Sequence, residues 1–302
     1  MQKKPLSPLV LSHTKLVKIF AAFHVYPEPP EPGESGLILF AFRGCLPAKT
    51  INGWSASLKL KPASLDYVHM RCTLGIWDPQ RKRLFAAPGS TVPYKAQVEI
   101  AAARKGKLRG KGTNQLEPGF YTDLSKGEHL QGKTNGHQAL RQTAGRFYRR
   151  SPTGLPYTEA SPLYFGNPYD NLHCGWNLDG LAAGFSSAGC MVVAGIPHCP
   201  RRPDRKVDQG PWKIFHNLLY AEKQSRFPLL LLSFQTLFSA VAKPTMHATG
   251  LRRNLVFGSS GEAVRELQRF LSERSLYLGK INGDLDVRTY RAWKTAQARS
   301  RS

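Results

Sequence analysis

Apolar positions in this chain come mostly in short runs, each broken after a few residues by Gly, Pro or Asn. "GLILFAF", "YVHMRCTLGIW", "AQVEIAAA" and "LLLLSFQTLF" are examples. Short runs with this punctuation predict strands, so residues 37–242 read as a mostly-β domain. "FPLLLLSFQTLFSAV" (227–241) is too short to span a bilayer and is expected as one or two buried strands. "KGTNQLEPGFYTDLSKGEHL" (111–130) reads as a loop, a Pro-Gly turn, a short strand and another turn. "GPWKIFHNLLYAEKQ" (210–224) has apolar residues at helical spacing, with Pro211 suited to a first turn. "IPHCPRRPDRKVDQG" (196–210) is loop.

The texture changes after residue 243. In "GSSGEAVRELQRFLSERSLYLGKINGDLDVRTYRAWKTAQ" (258–297), Val264, Leu267, Phe270 and Leu271 share one helical face. Thr289, Ala292, Trp293 and Ala296 share another, and "LYLGKINGDLD" is a Gly/Asn-marked turn between them. Three small helices are expected in a compact unit over 248–302. At the other end, "PEPPEPGES" (28–36) reads as a linker, which makes 1–36 an N-terminal appendage. The expected fold class is therefore α+β: a mostly-β domain over 37–242 followed by a small three-helix module.

Charge narrows the partners. Lys and Arg number 43 against 20 Asp and Glu, a formal net charge of +23. An excess that large points to a polyanion, either nucleic acid or an anionic bacterial envelope. Five cysteines (45, 72, 174, 190 and 199) are too few and too scattered for a disulfide scaffold. The start, "MQKKPLSPLVLSHTKLVKIFAAF", loosely imitates an export signal, but Ser12, His13, Lys15 and Lys18 interrupt its apolar run. No segment reaches the length of a membrane span. H-E-x-x-H, P-loop, dinucleotide-glycine and G-x-S-x-G patterns are absent from the sequence, as is any nucleic-acid-reading motif.

Chemistry concentrates in "NLHCGWNLDGLAAGFSSAGCMVVAG" (171–195), which admits three readings: a cysteine nucleophile with its base, a zinc site, or buried core cysteines. Cys190 follows a small-residue turn and precedes β-branched residues, so its thiol can sit at an open surface near free N–H groups. The attacking species is the thiolate, which requires a base. His173 lies 190 − 173 = 17 residues upstream, enough chain to bring an adjacent strand beside the cysteine. The zinc reading gathers His173, Cys174, Cys190, His198 and Cys199, but lacks ligand pairs at the usual two-to-four-residue spacing. Neither metal nor cofactor is expected. Cys174 reads as a packed residue, with a disulfide to Cys190 the alternative.

Two resemblances give these residues a setting. Gly258, Ser259, Gly261, Val264, Leu267, Gln268 and Leu271, then Gly279, Ile281, Gly283, Thr289, Ala292 and Gln297, resemble the peptidoglycan-binding domain type 1 repeat. Asn282, Leu285-Asp286 and Ala296 depart from it. "NLHCGW" and "SSAGC" resemble the catalytic signature of the L,D-transpeptidases, in the variant form seen in phage-lysin-like wall proteins; Ala188 stands where the standard motif has a second histidine. "LEPGFY" and "GEHLQG" also look like that variant. The resemblance implies Cys190 as nucleophile, His173 as base, Gly189 in the oxyanion turn and Ser187 matching the motif serine. Gly175, Trp176, Ala188 and His129 are the expected substrate-lining positions.

The implied activity is L,D-transpeptidase or L,D-carboxypeptidase action on peptidoglycan stem peptides. The implied partners are those peptides, their glycan and anionic envelope polymers, with no specific nucleic acid. The implied location is the cell envelope, the periplasm or outside the cell, in a bacterial or phage setting. A wall hydrolase (endopeptidase or amidase) using the same cysteine and a non-catalytic wall-binding protein are the alternatives.

Overall fold

The computed structural model describes residues 6–104, 112–151, 154–155, 157–242 and 254–300. In chain order the first elements are β1 (Leu9–Ser12), α1 (His13–Ala22), β2 (Ile38–Arg43), β3 (Cys45–Pro47), β4 (Ser57–Pro62), β5 (Cys72–Asp78) and β6 (Arg83–Ser90). Then come α2 (Lys95–Ala102), β7 (Thr113–Leu116), β8 (Gly119–His129), β9 (His137–Gln142), β10 (Arg146–Ser151) and β11 (Leu163–Gly166). The last are β12 (Leu172–Cys174), β13 (Met191–Val193), α3 (Gly210–Tyr220), β14 (Arg226–Ser233), α4 (Phe234–Ala242), α5 (Glu262–Ser272) and α6 (Val287–Arg299). The fold is α+β with strands predominant. Eight strands close into a barrel in the order β12-β13-β6-β5-β2-β14-β8-β9. Two three-stranded sheets, β1-β4-β3 and β11-β10-β7, flank it.

The barrel explains why several strands read as unbroken apolar runs rather than alternating ones. Leu39, Ala41, Leu229 and Leu231 join one core with Ile76, Phe85 and Leu124, capped by Trp212, Phe215 and Leu219 of α3. Their neighbours Ile38, Phe40, Phe42, Leu230 and Leu232 point the other way, into a second core with α1 and α4. Strands covered on both faces carry apolar residues at every position.

The run 227–241 is half strand and half helix, which corrects the all-strand expectation. Ser233 ends the ladder, accepts the Thr236 N–H (3.0 Å) and starts α4. Across 111–130 the extended portion is also longer than expected. β7 and the 11-residue β8 occupy most of it, because β8 is paired by both β14 and β9.

Residues 6–25 are not an appendage. β1 pairs antiparallel with β4, and Leu11, Leu16, Ile19, Phe20, Phe23 and Val25 are buried in the second core. Phe20 packs on Trp77, with ring centroids 5.1 Å apart. Ser12 caps α1 by accepting the Lys15 N–H (3.3 Å). The polar residues that break the apolar run are thus a cap and the outer face of an amphipathic helix. A cavity of about 710 Å³ lies between α1, the prolines of 27–30, Trp77 and the start of β14.

Among the described residues the C-terminal unit has two helices, α5 and α6, where three were expected; 248–253 and 301–302 lie outside the described residues. Val264, Leu267, Leu271, Trp293 and Ala296 form its core together with Phe147 of β10. Gln268 is fully buried. Its Oε1 accepts the Gly283 N–H (2.9 Å), and its Nε2 donates to Asn282 Oδ1 (2.9 Å), to the Asp284 carbonyl (3.1 Å) and to Thr289 Oγ1 (3.2 Å). The unit is stitched to the N-terminal segment as well. Ser259 Oγ donates to the Phe23 carbonyl (2.7 Å), and the Ser260 N–H to the His24 carbonyl (2.7 Å). No helix among the described residues is long and apolar enough to cross a membrane.

Candidate active site at Cys190

The 17-residue step from His173 to Cys190 forms the crossover that a parallel pair requires. β12 and β13 pair in parallel, with Leu172 opposite Met191 and His173 opposite Val192. Cys190 therefore enters β13 beside the strand that carries His173. The β8–β9 hairpin brings in two more histidines, since His129 and His137 are cross-strand partners and Leu140 of β9 pairs with Leu172. The His129 and His173 rings stack with centroids 3.9 Å apart and planes 9° from parallel. His137 meets His173 edge-on at 5.3 Å, and Trp176 at 5.8 Å. A ring nitrogen of His129, a ring nitrogen of His173 and Cys190 Sγ all lie within 4.8 Å of one another.

The hydrogen bonds assign a different task to each ring. A carbonyl only accepts, so the 2.7 Å contact to the Cys174 carbonyl puts the proton on His173 Nδ1 and leaves Nε2 with a free lone pair. Asn171 Oδ1 accepts the Gln142 N–H (3.1 Å), which turns the Asn171 NH2 toward His129 Nδ1 at 3.1 Å. His129 Nδ1 is therefore an occupied acceptor, and its Nε2 carries the proton. His137 donates from Nδ1 to the Asn135 carbonyl (2.8 Å), while its buried Nε2 has no partner.

Burial, followed by the charge of His137, lowers the His129 pKa to about 4. Burial, then the His129 and His137 charges, holds His173 well below the ordinary histidine value. Burial, then the Asp170 charge, pushes the Cys190 thiol far up. At neutral pH the resting pair is thus a neutral thiol beside a neutral imidazole. One basic lone pair is available to Cys190, on His173 Nε2.

Ser187 and Gly189 build the turn. Ser187 is buried; its Oγ donates to the Cys190 carbonyl (2.6 Å) and accepts the Gly189 N–H (3.2 Å). Gly189 has φ +150°, and a Cβ there would lie 2.6 Å from Asp170 Oδ1 and 2.9 Å from Asn114 Cβ. The Gly189 N–H is consumed inside the turn. Among the described residues the Cys190 N–H donates to no other residue's oxygen, which leaves it for an oxyanion. Ala188 is exposed at the mouth of the turn, and its carbonyl accepts the Asn114 N–H (3.1 Å). Gly175 is buried, and any side chain there would collide with Met70 Cε. Trp176 is half-buried, with Arg202 5.6 Å above its ring.

The structure thus brings together Cys190, His173, His129, Ser187, Gly189, Ala188 and Trp176. Sequence reasoning did not find His137, Asn171, Asn114 or Asp170. Asn171 and Asp170 adjoin the histidine motif, but their roles depend on contacts with β9 and β7. Asp170 is buried and donates its N–H to Gln142 Oε1 (3.0 Å), but its Oδ2 has no partner. Burial raises its carboxyl to about 7.

The donors that converge are His129, His173 and Cys190, not the larger set of the zinc reading. Cys174, His198 and Cys199 lie outside the cluster. The nearly parallel imidazoles aim their in-plane lone pairs alongside one another rather than at a common point, a poor fit to a tetrahedral ion. The large cavity near α1 shares no residue with this cluster. No protein-family model, curated protein or solved structure significantly matches this chain.

Proposed function

We propose that the protein is a peptidoglycan-modifying cysteine enzyme of the L,D-transpeptidase or L,D-carboxypeptidase type. The observation that carries this reading is the Cys190–His173 pair, in which a ring nitrogen of a neutral imidazole with a free Nε2 lone pair lies within 4.8 Å of the Sγ of a half-buried thiol. A thiol held far above its usual range does not ionise in advance, so deprotonation accompanies attack. His173 Nε2 takes the Sγ proton as Sγ bonds to the carbonyl carbon of a stem-peptide amide. The oxyanion rests on the Cys190 N–H, and the Ser187–Gly189 turn fixes the direction of that N–H. The imidazolium returns its proton to the departing nitrogen, the C–N bond breaks and a D-amino acid leaves. The resulting thioester is resolved by an amine, giving a cross-link or exchange, or by water, giving trimming. In either case His173 accepts the nucleophile's proton and returns one to Sγ.

His129 supports this cycle by remaining neutral. A second positive ring 3.9 Å away would oppose the His173 imidazolium. The likeness of residues 258–297 to a wall-binding repeat and the charge of +23 favour a wall polymer as substrate. Muropeptides incubated with wild type and with Cys190→Ala, then read by mass spectrometry, test the proposal. Wild type is expected to change stem-peptide length or cross-linking and Cys190→Ala to do neither. Equal activity of the two refutes the nucleophile, and water-only products fix the carboxypeptidase form.

A further inference from the structure

Three arginines sit close together on β10, and two are neutralised within the fold. Arg146 Nε donates to Asp123 Oδ1 (2.9 Å), and Arg149 Nε to Glu117 Oε1 (2.7 Å). Arg150 is different. It is half-buried, and among the described residues it has no acidic partner at ion-pair distance. Its guanidinium is nevertheless held in place. Nε donates to Asn114 Oδ1 (3.0 Å), and Cζ lies 5.3 Å from the Tyr148 ring and 5.5 Å from the Tyr164 ring. Those tyrosines are cross-strand partners on β10 and β11, stacked at 5.8 Å.

Asn114 links this guanidinium to the nucleophile. Its N–H holds the Ala188 carbonyl (3.1 Å), and its Cβ lies 2.9 Å from where a side chain at Gly189 would begin. The neighbouring carboxyl, Asp170, does not form an ion pair with Arg150, and burial keeps it near the midpoint of titration at neutral pH. An arginine has five N–H donors in a planar fork matched to a carboxylate. Here one is used and the group is oriented by two aromatic rings and an amide, while among the described residues the other donors have no hydrogen-bond acceptor.

We infer that Arg150 is a specificity residue that binds a free carboxylate of the peptide whose amide is attacked by Cys190. This rests on the cysteine-enzyme reading above. The substrate class is thereby narrowed to stem peptides with an unamidated carboxylate close to the scissile bond. The Asn114 bridge registers that carboxylate against the turn, and the amide counterpart offers no charge to the fork.

The test compares a disaccharide tetrapeptide with a free side-chain carboxylate and the same muropeptide amidated there, using wild type, Arg150→Gln and Arg150→Lys. Wild type is expected to favour the free acid by roughly 10- to 100-fold in KM, the range of a charge-assisted, two-pronged hydrogen bond. Arg150→Gln is expected to lose that preference, and Arg150→Lys to recover part of it. Binding measured in a Cys190→Ala background, with melting temperatures alongside, separates recognition from turnover and from misfolding. Wild-type turnover without acid-over-amide discrimination, or with discrimination that survives in Arg150→Gln, overturns the Arg150 assignment alone. Failure of wild type to process either muropeptide overturns the cysteine-enzyme reading and this inference with it.

Discussion

Replacing Gly189 with Ala tests the geometry of the nucleophile turn with a single methyl group. The added Cβ would lie 2.6 Å from Asp170 Oδ1, 3.0 Å from its Cγ and 2.9 Å from Asn114 Cβ, where ordinary contact begins at 3.4 Å. Relief therefore requires a displacement of about 0.8 Å, the difference between 3.4 and 2.6. The backbone adds a second cost, because φ +150° is reached readily only by glycine. Strain of this kind is worth about 1–3 kcal/mol, or a fall in melting temperature of several degrees in a chain of this size.

The effect on chemistry is larger. A shift approaching 1 Å in a positioned nucleophile costs about 10²-fold in rate. Turnover of muropeptides by mass spectrometry and thermal unfolding by circular dichroism are the assays. Pairing Gly189→Ala with Asp170→Ala removes two of the three close contacts, so the double variant should be more stable than the sum of the singles by roughly 1 kcal/mol. Wild-type rate and melting temperature in Gly189→Ala, or strict additivity with Asp170→Ala, would refute the reasoning.

Titration of the site has a worked sign for each partner. His129 has a folded pKa of about 4 against an ordinary 6.5, so the folded state binds fewer protons between those values. The stability of wild type relative to His129→Gln should rise from pH 4 to pH 6.5, by at most about 1.4 kcal/mol per unit, then level off. Asp170 runs the other way. Its folded pKa of about 7 exceeds the ordinary 3.8, so wild type should lose stability relative to Asp170→Ala as pH rises from 3.8 to 7. Urea titrations across pH 4–8 read both differences, and equal slopes in wild type and variants would disprove the assignments. Deleting residues 1–27 removes seven buried apolar side chains among the described residues, each worth about 1.5–3 kcal/mol, and should abolish the cooperative fold by circular dichroism. Gln268→Leu leaves the Gly283 N–H without its acceptor and should cost about 2–3 kcal/mol in chemical unfolding; a neutral result would remove Gln268 from the architecture.

The parts of this molecule legible in its sequence are those governed by local spacing. The step from His173 to Cys190 matches a parallel crossover, and the faces of α5 and α6 fall where their periods place them. Legibility fails where one signal serves two structures. "PLLLLSFQTLF" carries no period, so Ser233 capping and the turn into α4 could not be told from continued strand. Lys15 and Lys18 read as interruptions because only the packed fold shows that α1 turns Leu16, Ile19 and Phe20 inward. The histidine stack depends on the register of β8 with β9, which places His129 opposite His137, and that pairing leaves no local mark in the chain. Gln268, Gly283 and Thr289 were quoted for their likeness to a binding repeat, but their observed contacts are with one another, inside the unit.

The seam between the chain's two ends has a mechanical consequence. Ser259 and Ser260 bond to Phe23 and His24, and Phe147 of β10 sits inside the C-terminal core. The C-terminal unit is thus mounted on the same framework that carries Arg150 and the Cys190 turn, rather than trailing on a free leash. A polymer gripped by that unit would be presented to the thiol at a set span and angle, as work is held in a jig. Under the proposed function, the bonds attacked would then recur at a fixed offset from the point of grip along the wall.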